Sequence, residues 1–321
     1  MVAAVGGALL VASAWVPLPY YAIGPGPASD VLPLISFEDH PRYEPSGHLV
    51  MTTVRLVQVT PLTAFATWID PRRSLKPEDE VFPPGIDHDV EEQRSISQMD
   101  SSKIDAASVV LRMLMNYPES HGDGALIEST VPGCPADGQL FPGDVILAID
   151  GQAIGSLAEA SRAIERVPPG QEMRFTLDVD GRTERATFAR ESCAAGEGPL
   201  VGVAMLDTFP IPVSIASGDV GGSSAGLMFA LGLYELMTPG DLTGGLTIAG
   251  TGELGPDGTV YPISGVADKV IAAERAGATV FLVPRDNLSE LRGVDVGGIR
   301  LIPVDTFEDA LRALGEDVPA E

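Results

Sequence analysis

Residues 216–237 constrain the fold of this chain more than any other stretch. The first half, Ala216-Ser-Gly-Asp-Val-Gly-Gly-Ser-Ser-Ala-Gly226, is rich in glycine and serine. It runs straight into Leu227-Met-Phe-Ala-Leu-Gly-Leu-Tyr-Glu-Leu-Met237, which reads as an apolar helix. Glycines permit a tight loop and close approach by another backbone. A serine at a helix entrance gains from the N-terminal dipole, and free N–H groups there are placed to hold an oxyanion. The same pattern also suits a serine N-cap behind a glycine-rich turn. The loop alone does not separate a nucleophile from a cap.

A lysine further along the chain tilts the reading. Of the 20 basic residues only Lys76, Lys103 and Lys269 are lysine. Lys269 lies in an expected helix, Val266-Ala-Asp-Lys-Val-Ile-Ala-Ala-Glu274, after the turn-like Pro262-Ile-Ser-Gly265. Arginine would serve any purely charged role there, whereas a desolvated lysine can lose its proton near neutral pH and act as a base. A serine–histidine–aspartate arrangement is poorly supported, because His40, His48, His88 and His121 all precede residue 122.

Charge and composition bound the partners. A formal net charge of −25 excludes nucleic acid as a natural ligand and disfavours an anionic membrane surface. With 321 residues, 45% hydrophobic, 36 glycines and 27 prolines, the chain is folded and turn-rich, with two domains or one large one. No charged residue precedes Asp30, and residues 2–16 form an apolar run followed by Pro17-Leu-Pro-Tyr-Tyr21. Residues 1–24 are therefore expected to be a membrane anchor, with Trp15, Tyr20 and Tyr21 at the interface. A cleaved signal segment ending near Val11-Ala-Ser-Ala14 and a buried core helix are the alternatives. The first two place the bulk of the chain outside the cytoplasm, the anchor on a single-pass cell-membrane protein. Cys134 and Cys193 are too far apart for a CxxC site, and four scattered histidines supply no metal cluster. In an exported protein the two cysteines suit a disulfide, and otherwise they are two small thiols.

Gly24-Pro-Gly-Pro-Ala-Ser29 reads as a linker, residues 49–57 as a β-branched strand, and residues 70–97 as a charged, proline-punctuated loop. Residues 100–115 carry Ile104, Ala107, Val110, Leu111 and Leu114 at helical spacing behind a capping Asp or Ser. A compact unit follows: a strand at 125–131, a buried strand within 140–151, a helix at 157–167, and a hairpin over 173–188 turning at Asp180-Gly181. From Pro199 a third region begins, with strands at 201–205 and 211–215 leading into the serine loop. Gly250-Thr-Gly-Glu-Leu-Gly255 fits GxGxxG, but Pro256-Asp-Gly258 and a strand follow where a dinucleotide site needs a helix. There is no GxxxxGK[ST], so no ATP site and no cofactor are expected.

Gly124-Ala-Leu-Ile127, Val131-Pro-Gly-Cys-Pro-Ala136 and Leu140-Phe-Pro-Gly-Asp-Val-Ile-Leu-Ala-Ile-Asp-Gly151 resemble PDZ domains of the bacterial protease type. The resemblance implies binding of extended C-terminal peptides by strand addition, with the carboxylate captured by a loop at Gly122, Gly124, Ala125 and Leu126. A PDZ fold used only as a spacer or gate is the plainer reading. Gly222-Ser-Ser-Ala-Gly226, Thr251-Gly-Glu253, Val260-Tyr-Pro-Ile-Ser-Gly265, Asp268-Lys-Val-Ile-Ala-Ala273 and Thr279-Val-Phe-Leu-Val-Pro284 resemble the proteolytic domain of Lon proteases. That resemblance implies Ser224 as nucleophile, Lys269 as general base and Thr251 as a residue that orients the lysine. It leaves Gly222 and Ser223 as loop or oxyanion support, with Ser223 standing where the family usually has proline.

The two resemblances together imply an α+β fold: a Lon-type proteolytic domain interrupted by a PDZ domain. The expected divisions are 1–24 anchor or signal, 25–118 first part of the Lon-like domain, 119–195 PDZ, and 196–321 the part bearing the serine and lysine. Membrane-anchored PDZ-containing Lon-like proteases share this order. The implied function is an ATP-independent serine endopeptidase acting on unfolded or PDZ-recruited proteins outside the cytoplasm, and Lon-type domains imply a homo-hexamer. A non-catalytic PDZ scaffold and a chaperone-like sensor are the rivals.

Overall fold

A computed structural model describes residues 15–69, 74–82, 88–193, 198–218 and 220–316. The chain opens with strands β1 (Tyr20–Asp30), β2 (Ile35–Phe37) and β3 (His48–Gln58), then helix α1 (Pro61–Ile69), β4 (Ser74–Pro77), the short α2 (Glu78–Val81) and the long α3 (His88–Met115). A second unit contains β5 (Ala125–Thr130), β6 (Val145–Ile149), β7 (Gln152–Ala153), α4 (Leu157–Arg166), β8 (Glu172–Val179), β9 (Arg182–Ala189), β10 (Glu191–Ser192), β11 (Pro199–Leu200) and β12 (Val203–Asp207). The chain then returns through β13 (Val213–Ile215), α5 (Gly226–Met237), β14 (Thr247–Gly250), β15 (Glu253–Leu254), β16 (Val260–Tyr261), α6 (Val266–Arg275), β17 (Val280–Pro284), β18 (Arg300–Val304) and α7 (Phe307–Ala313).

The principal sheet has the order β18-β17-β14-β3-β1-β4. Strands β18, β17, β14 and β3 run parallel, and β1 is antiparallel to both β3 and β4. Parallel strands are covered on both faces, so they read as unbroken apolar runs; every residue of β17 is buried. Side chains alternate across the sheet. Leu49, Met51, Val280 and Leu282 enter a core shared with α3, α5 and α7. Val50, Ala249, Phe281 and Val283 enter a core beneath α6. Helix α5 is buried at every position, which accounts for its apolar circumference. The two catalytic candidates are thereby carried by elements on opposite faces of one sheet: Ser224 at the mouth of α5, Lys269 on α6.

The second unit has a core of its own, drawn from residues 125–201 with Val203 and Met205 packed against it. Its sheet runs β12-β5-β6-β8-β9, with β7 beside β6. The chain leaves and re-enters the larger core side by side. Tyr117 Oη donates to Asp207 O at 2.6 Å, and Gly122 N donates to Thr208 O at 2.9 Å. The Tyr117 and Phe209 rings meet edge to face, with centroids 5.4 Å apart.

Four sequence expectations change. The supposed linker at 24–29 is part of β1, and Tyr20 to Gly24, expected at the end of a membrane segment, also lie in that strand. Glycine and proline are tolerated here because the pairing with β3 shifts register between Pro25 and Ala28. A Cβ on Gly26 would stand 2.7 Å from Thr53 O. The rest of the expected anchor, residues 1–14, lies outside the described residues; among those described, no helix is long and apolar enough to cross a membrane. The 70–97 stretch is not all loop: it contributes β4 and α2, and α3 begins at His88, twelve residues before its apolar periodicity becomes legible, because its first turns are solvated and only Met99 onward is buried. Finally, residues 203–207 pair with β5 in the second sheet rather than leading into the serine loop, so that sheet extends past residue 195.

Cys134 and Cys193 form a disulfide with Cα atoms 5.1 Å apart. It ties the turn after β5 to the segment after β10, closing a loop with a sequence separation of 59. Replacing both cysteines by alanine is expected to lower the unfolding free energy by roughly 2–5 kcal/mol, the range for removing a native disulfide. Urea unfolding of the double variant against the oxidised parent measures it.

Candidate active site

The segment before α5 turns at Gly218 (φ +57°) and Gly222 (φ +85°), backbone conformations that favour glycine. It is tied to α3 at two points: Gly222 N donates to Ser95 O at 2.8 Å, and Ser102 Oγ donates to Ser223 O at 2.9 Å. The loop is tied again to residues 251–252, because Ser224 O accepts from Gly252 N at 2.9 Å and from Thr251 Oγ1 at 3.0 Å. Helix α5 has Ala225 at its N-cap and no side-chain cap. Ser224 is therefore not spent as a cap, which removes the plainer of the two readings of this loop.

Lys269 reaches Ser224 from the other side of the cleft. Its Nζ lies 2.5 Å from Ser224 Oγ and 3.1 Å from Thr251 Oγ1. The side chain is buried, with 4% of the residue exposed, and Thr251 is fully buried. Burial holds the ammonium well below its ordinary range, at about 8. Removing water from a cation favours the neutral amine, and burial is the cause of this shift. A neutral amine within hydrogen-bond reach of a serine hydroxyl is competent to take its proton.

The oxyanion assignment needs one correction. The Gly222 N–H is committed to Ser95 O. Among the described residues, the N–H groups of Ser223, Ser224 and Ala225 donate to no protein acceptor. These are the free donors at the mouth of α5. Ser223 Oγ instead donates to Glu253 Oε2 at 2.5 Å, which turns it away from Lys269 and leaves Ser224 as the serine at the base.

Sequence reasoning missed Ser95, Ser102 and the role of Glu253. Adjacent serines of α3 reach in two directions, Ser102 to the serine loop and Ser101 Oγ to Glu128 O of β5 at 2.7 Å. Nearby, burial and the neighbouring Glu128 carboxyl hold Asp105 well above the carboxylate range. The only signal for these contacts was the serine pair inside an otherwise apolar-periodic helix.

A cleft of about 650 Å³ opens onto the pair, lined by Thr52, Thr53 and Val54 of β3, the serine loop, Glu253 and residues 262–264. Strand β14 pairs with β3 only from His48 to Met51, so β3 runs on past its neighbour and, among the described residues, presents a free edge to the cleft. An extended polypeptide can hydrogen-bond along such an edge.

The peptide-binding loop expected at Gly122, Gly124, Ala125 and Leu126 is not available for strand addition. Strand β5 is an interior strand, with β12 on one side and β6 on the other, and Ala125 and Leu126 are buried. Gly124 (φ +104°) packs so closely that a Cβ would stand 2.5 Å from Val145 Cγ1. The edge strand on the β5 side of this sheet is β12, alongside α4, whose Leu157 N donates to Asp207 Oδ1 at 2.7 Å.

Thr251→Val is expected to lower kcat roughly ten- to a hundredfold with little change in KM, because it deletes one hydrogen bond to the amine and one to the serine backbone. Steady-state kinetics on a peptide substrate, with the fold checked by circular dichroism, measures this.

Comparison with known proteins agrees with this geometry. Residues 197–314 match the Lon protease (S16) C-terminal proteolytic domain, and residues 126–178 match the PDZ domain family. The chain is 36% identical over 115 residues to the Lon protease of Clostridium beijerinckii, covering 34% of this chain and 14% of that protein. It is 29% identical over 190 residues to Lon protease 2 of Bacillus subtilis, covering 54% of this chain and 33% of that protein. The chain thus spans a third or less of these relatives. Among solved structures, the PDZ domain of the SdrC-like protein of Listeria innocua shares 26% identity over 26% of this chain and 93% of that one, with a TM-score of 0.24. Residues 197–314, which bear Ser224 and Lys269, are thus similar to the proteolytic domain of Lon proteases, and residues 126–178 to a PDZ domain.

Proposed function

We propose that this chain is an ATP-independent serine endopeptidase in which Ser224 attacks the peptide carbonyl and Lys269 is the general base. The observation that carries the reading is the 2.5 Å approach of the buried Lys269 amine to the Ser224 hydroxyl. Neutral Lys269 takes the hydroxyl proton as the Ser224 Oγ–carbon bond forms. The free N–H groups at the mouth of α5 hold the developing oxyanion. The protonated amine then returns its proton to the leaving nitrogen as the peptide bond breaks, and water hydrolyses the acyl-enzyme by the same exchange. Thr251 holds the lysine in line throughout.

Substrates on this reading are extended or unfolded segments that pair with the free edge of β3. The second unit contributes an independent edge, β12, where a recruited peptide can add beside α4. The apolar residues 1–14 tether the protein to a membrane, with the catalytic cleft on the extracytoplasmic side.

A peptide boronate tests the assignment directly, since boron adds to the activated serine oxygen. A crystal structure of the complex is expected to place the tetrahedral boron on Ser224 Oγ. An adduct on Ser223, or none, overturns the assignment. The pH profile supplies a second check. The reactive form is the neutral amine, so kcat/KM is expected to rise about tenfold per pH unit below the lysine's value and to level off above about 8.

A further inference from the structure

Helix α1 is built inside out for a helix on a soluble protein. Its buried or half-buried positions are Pro61, Ala64 and Thr67, and the side chains turned to solvent are the large apolar Leu62, Phe65, Trp68 and Ile69 with the small Thr63 and Ala66 between them. Phe65 is 59% exposed, Ile69 61% and Trp68 77%. The helix has no acidic residue in its first turn and no basic residue in its last. Single exposed apolar residues are ordinary, but a helix that turns its whole apolar face outward is made for a partner.

The position of α1 says which partner. The N-terminal end of β1 lies beside the start of α1: Leu18 N donates to Val59 O at 2.8 Å, and Val59 N to Tyr20 O at 3.0 Å. Trp15, 82% exposed, and Tyr20 therefore stand at the same pole as α1. Trp15 and Trp68 are both of the chain's two tryptophans. Fourteen residues without a charge, 1–14, lead directly into this pole. Tryptophan and tyrosine gather where one end of a side chain meets hydrocarbon and the other meets headgroups.

We propose that this pole is an interfacial membrane surface: α1 lies in the headgroup region of a bilayer with Leu62, Phe65, Trp68 and Ile69 turned to the lipid. This rests on the membrane tethering proposed above and adds a second, monotopic contact to it. The contact fixes which way the molecule faces, because a tether by itself leaves the body free to tumble. The strong negative charge of the chain favours zwitterionic over anionic lipid.

The tryptophans make the test specific, since they report from this pole and nowhere else. The full chain carrying Trp15→Phe leaves Trp68 as the sole tryptophan, excited selectively beyond the tyrosine band. It is reconstituted with phosphatidylcholine vesicles, with and without lipids brominated near the headgroup. The expected result is flotation with the vesicles, a blue shift of Trp68 emission, quenching by the brominated lipid and loss of quenching by aqueous acrylamide. Adding Phe65→Glu is expected to return Trp68 to water-like emission while flotation persists. Flotation with Trp68 still open to acrylamide overturns the pole and leaves the tether standing; no flotation overturns both. A blue shift without vesicles also overturns the proposal. One that grows with protein concentration assigns the face to a second copy, and one that does not assigns it to residues 1–14.

Discussion

Lys269→Arg and Ser224→Ala are each expected to lower kcat/KM on an unfolded protein such as casein by roughly a thousandfold or more. The physical reason differs between the two. Alanine removes the atom that forms the acyl bond. Arginine keeps the positive charge but cannot give up a proton, so the 2.5 Å contact with the serine hydroxyl survives only as a hydrogen bond from a permanent cation. The two losses should not add, because base and nucleophile act as one unit, and the double variant should be no slower than the worse single one. Casein turnover with circular dichroism on each variant measures the outcome. Either variant retaining activity within tenfold of the parent would sink the dyad. A non-catalytic PDZ scaffold or chaperone-like sensor predicts no turnover to lose.

Phe281→Ala is expected to cost 3–5 kcal/mol of stability, roughly the range for emptying a buried aromatic site. Phe281 is fully buried in the middle of β17 and packs in the core beneath α6 with Val266, Val270 and Ala273. The cavity would lie under the helix that carries Lys269, so activity should fall even in the fraction that remains folded. Urea denaturation checks the stability and kcat per folded molecule checks the activity. A loss below about 1 kcal/mol would mean that the site collapses around the cavity.

The sequence made the catalytic pair legible because each member sits in a short local pattern: a serine in a glycine loop before an apolar helix, and a lone lysine on a second helix. Thr251 was legible for the same reason. What escaped was pairing between distant segments. The Gly/Pro stretch at 24–29 has a linker's composition, yet a register shift opposite Thr53 makes room for it in a strand. The first turns of α3 carry no apolar stripe because they face water, so nothing in their periodicity announces a helix. The peptide-binding loop was misplaced because β5 looks like any other short strand; only its two neighbours, β6 and β12, show that it has no edge to offer. Ser95 and Ser102 reach the serine loop over spans that no local pattern records.

The crossing at Tyr117 and Asp207 has a consequence for how such a molecule can be altered. Because both strands of the passage lie hydrogen-bonded to each other, the ninety or so residues between them hang from a doorway scarcely wider than a hairpin. A brief turn spliced across that doorway would leave the larger body with its sheet and both reacting groups in register. On this geometry the module is expected to act as a cartridge, exchangeable for another so long as the Ser101 contact of α3 with Glu128 is replaced.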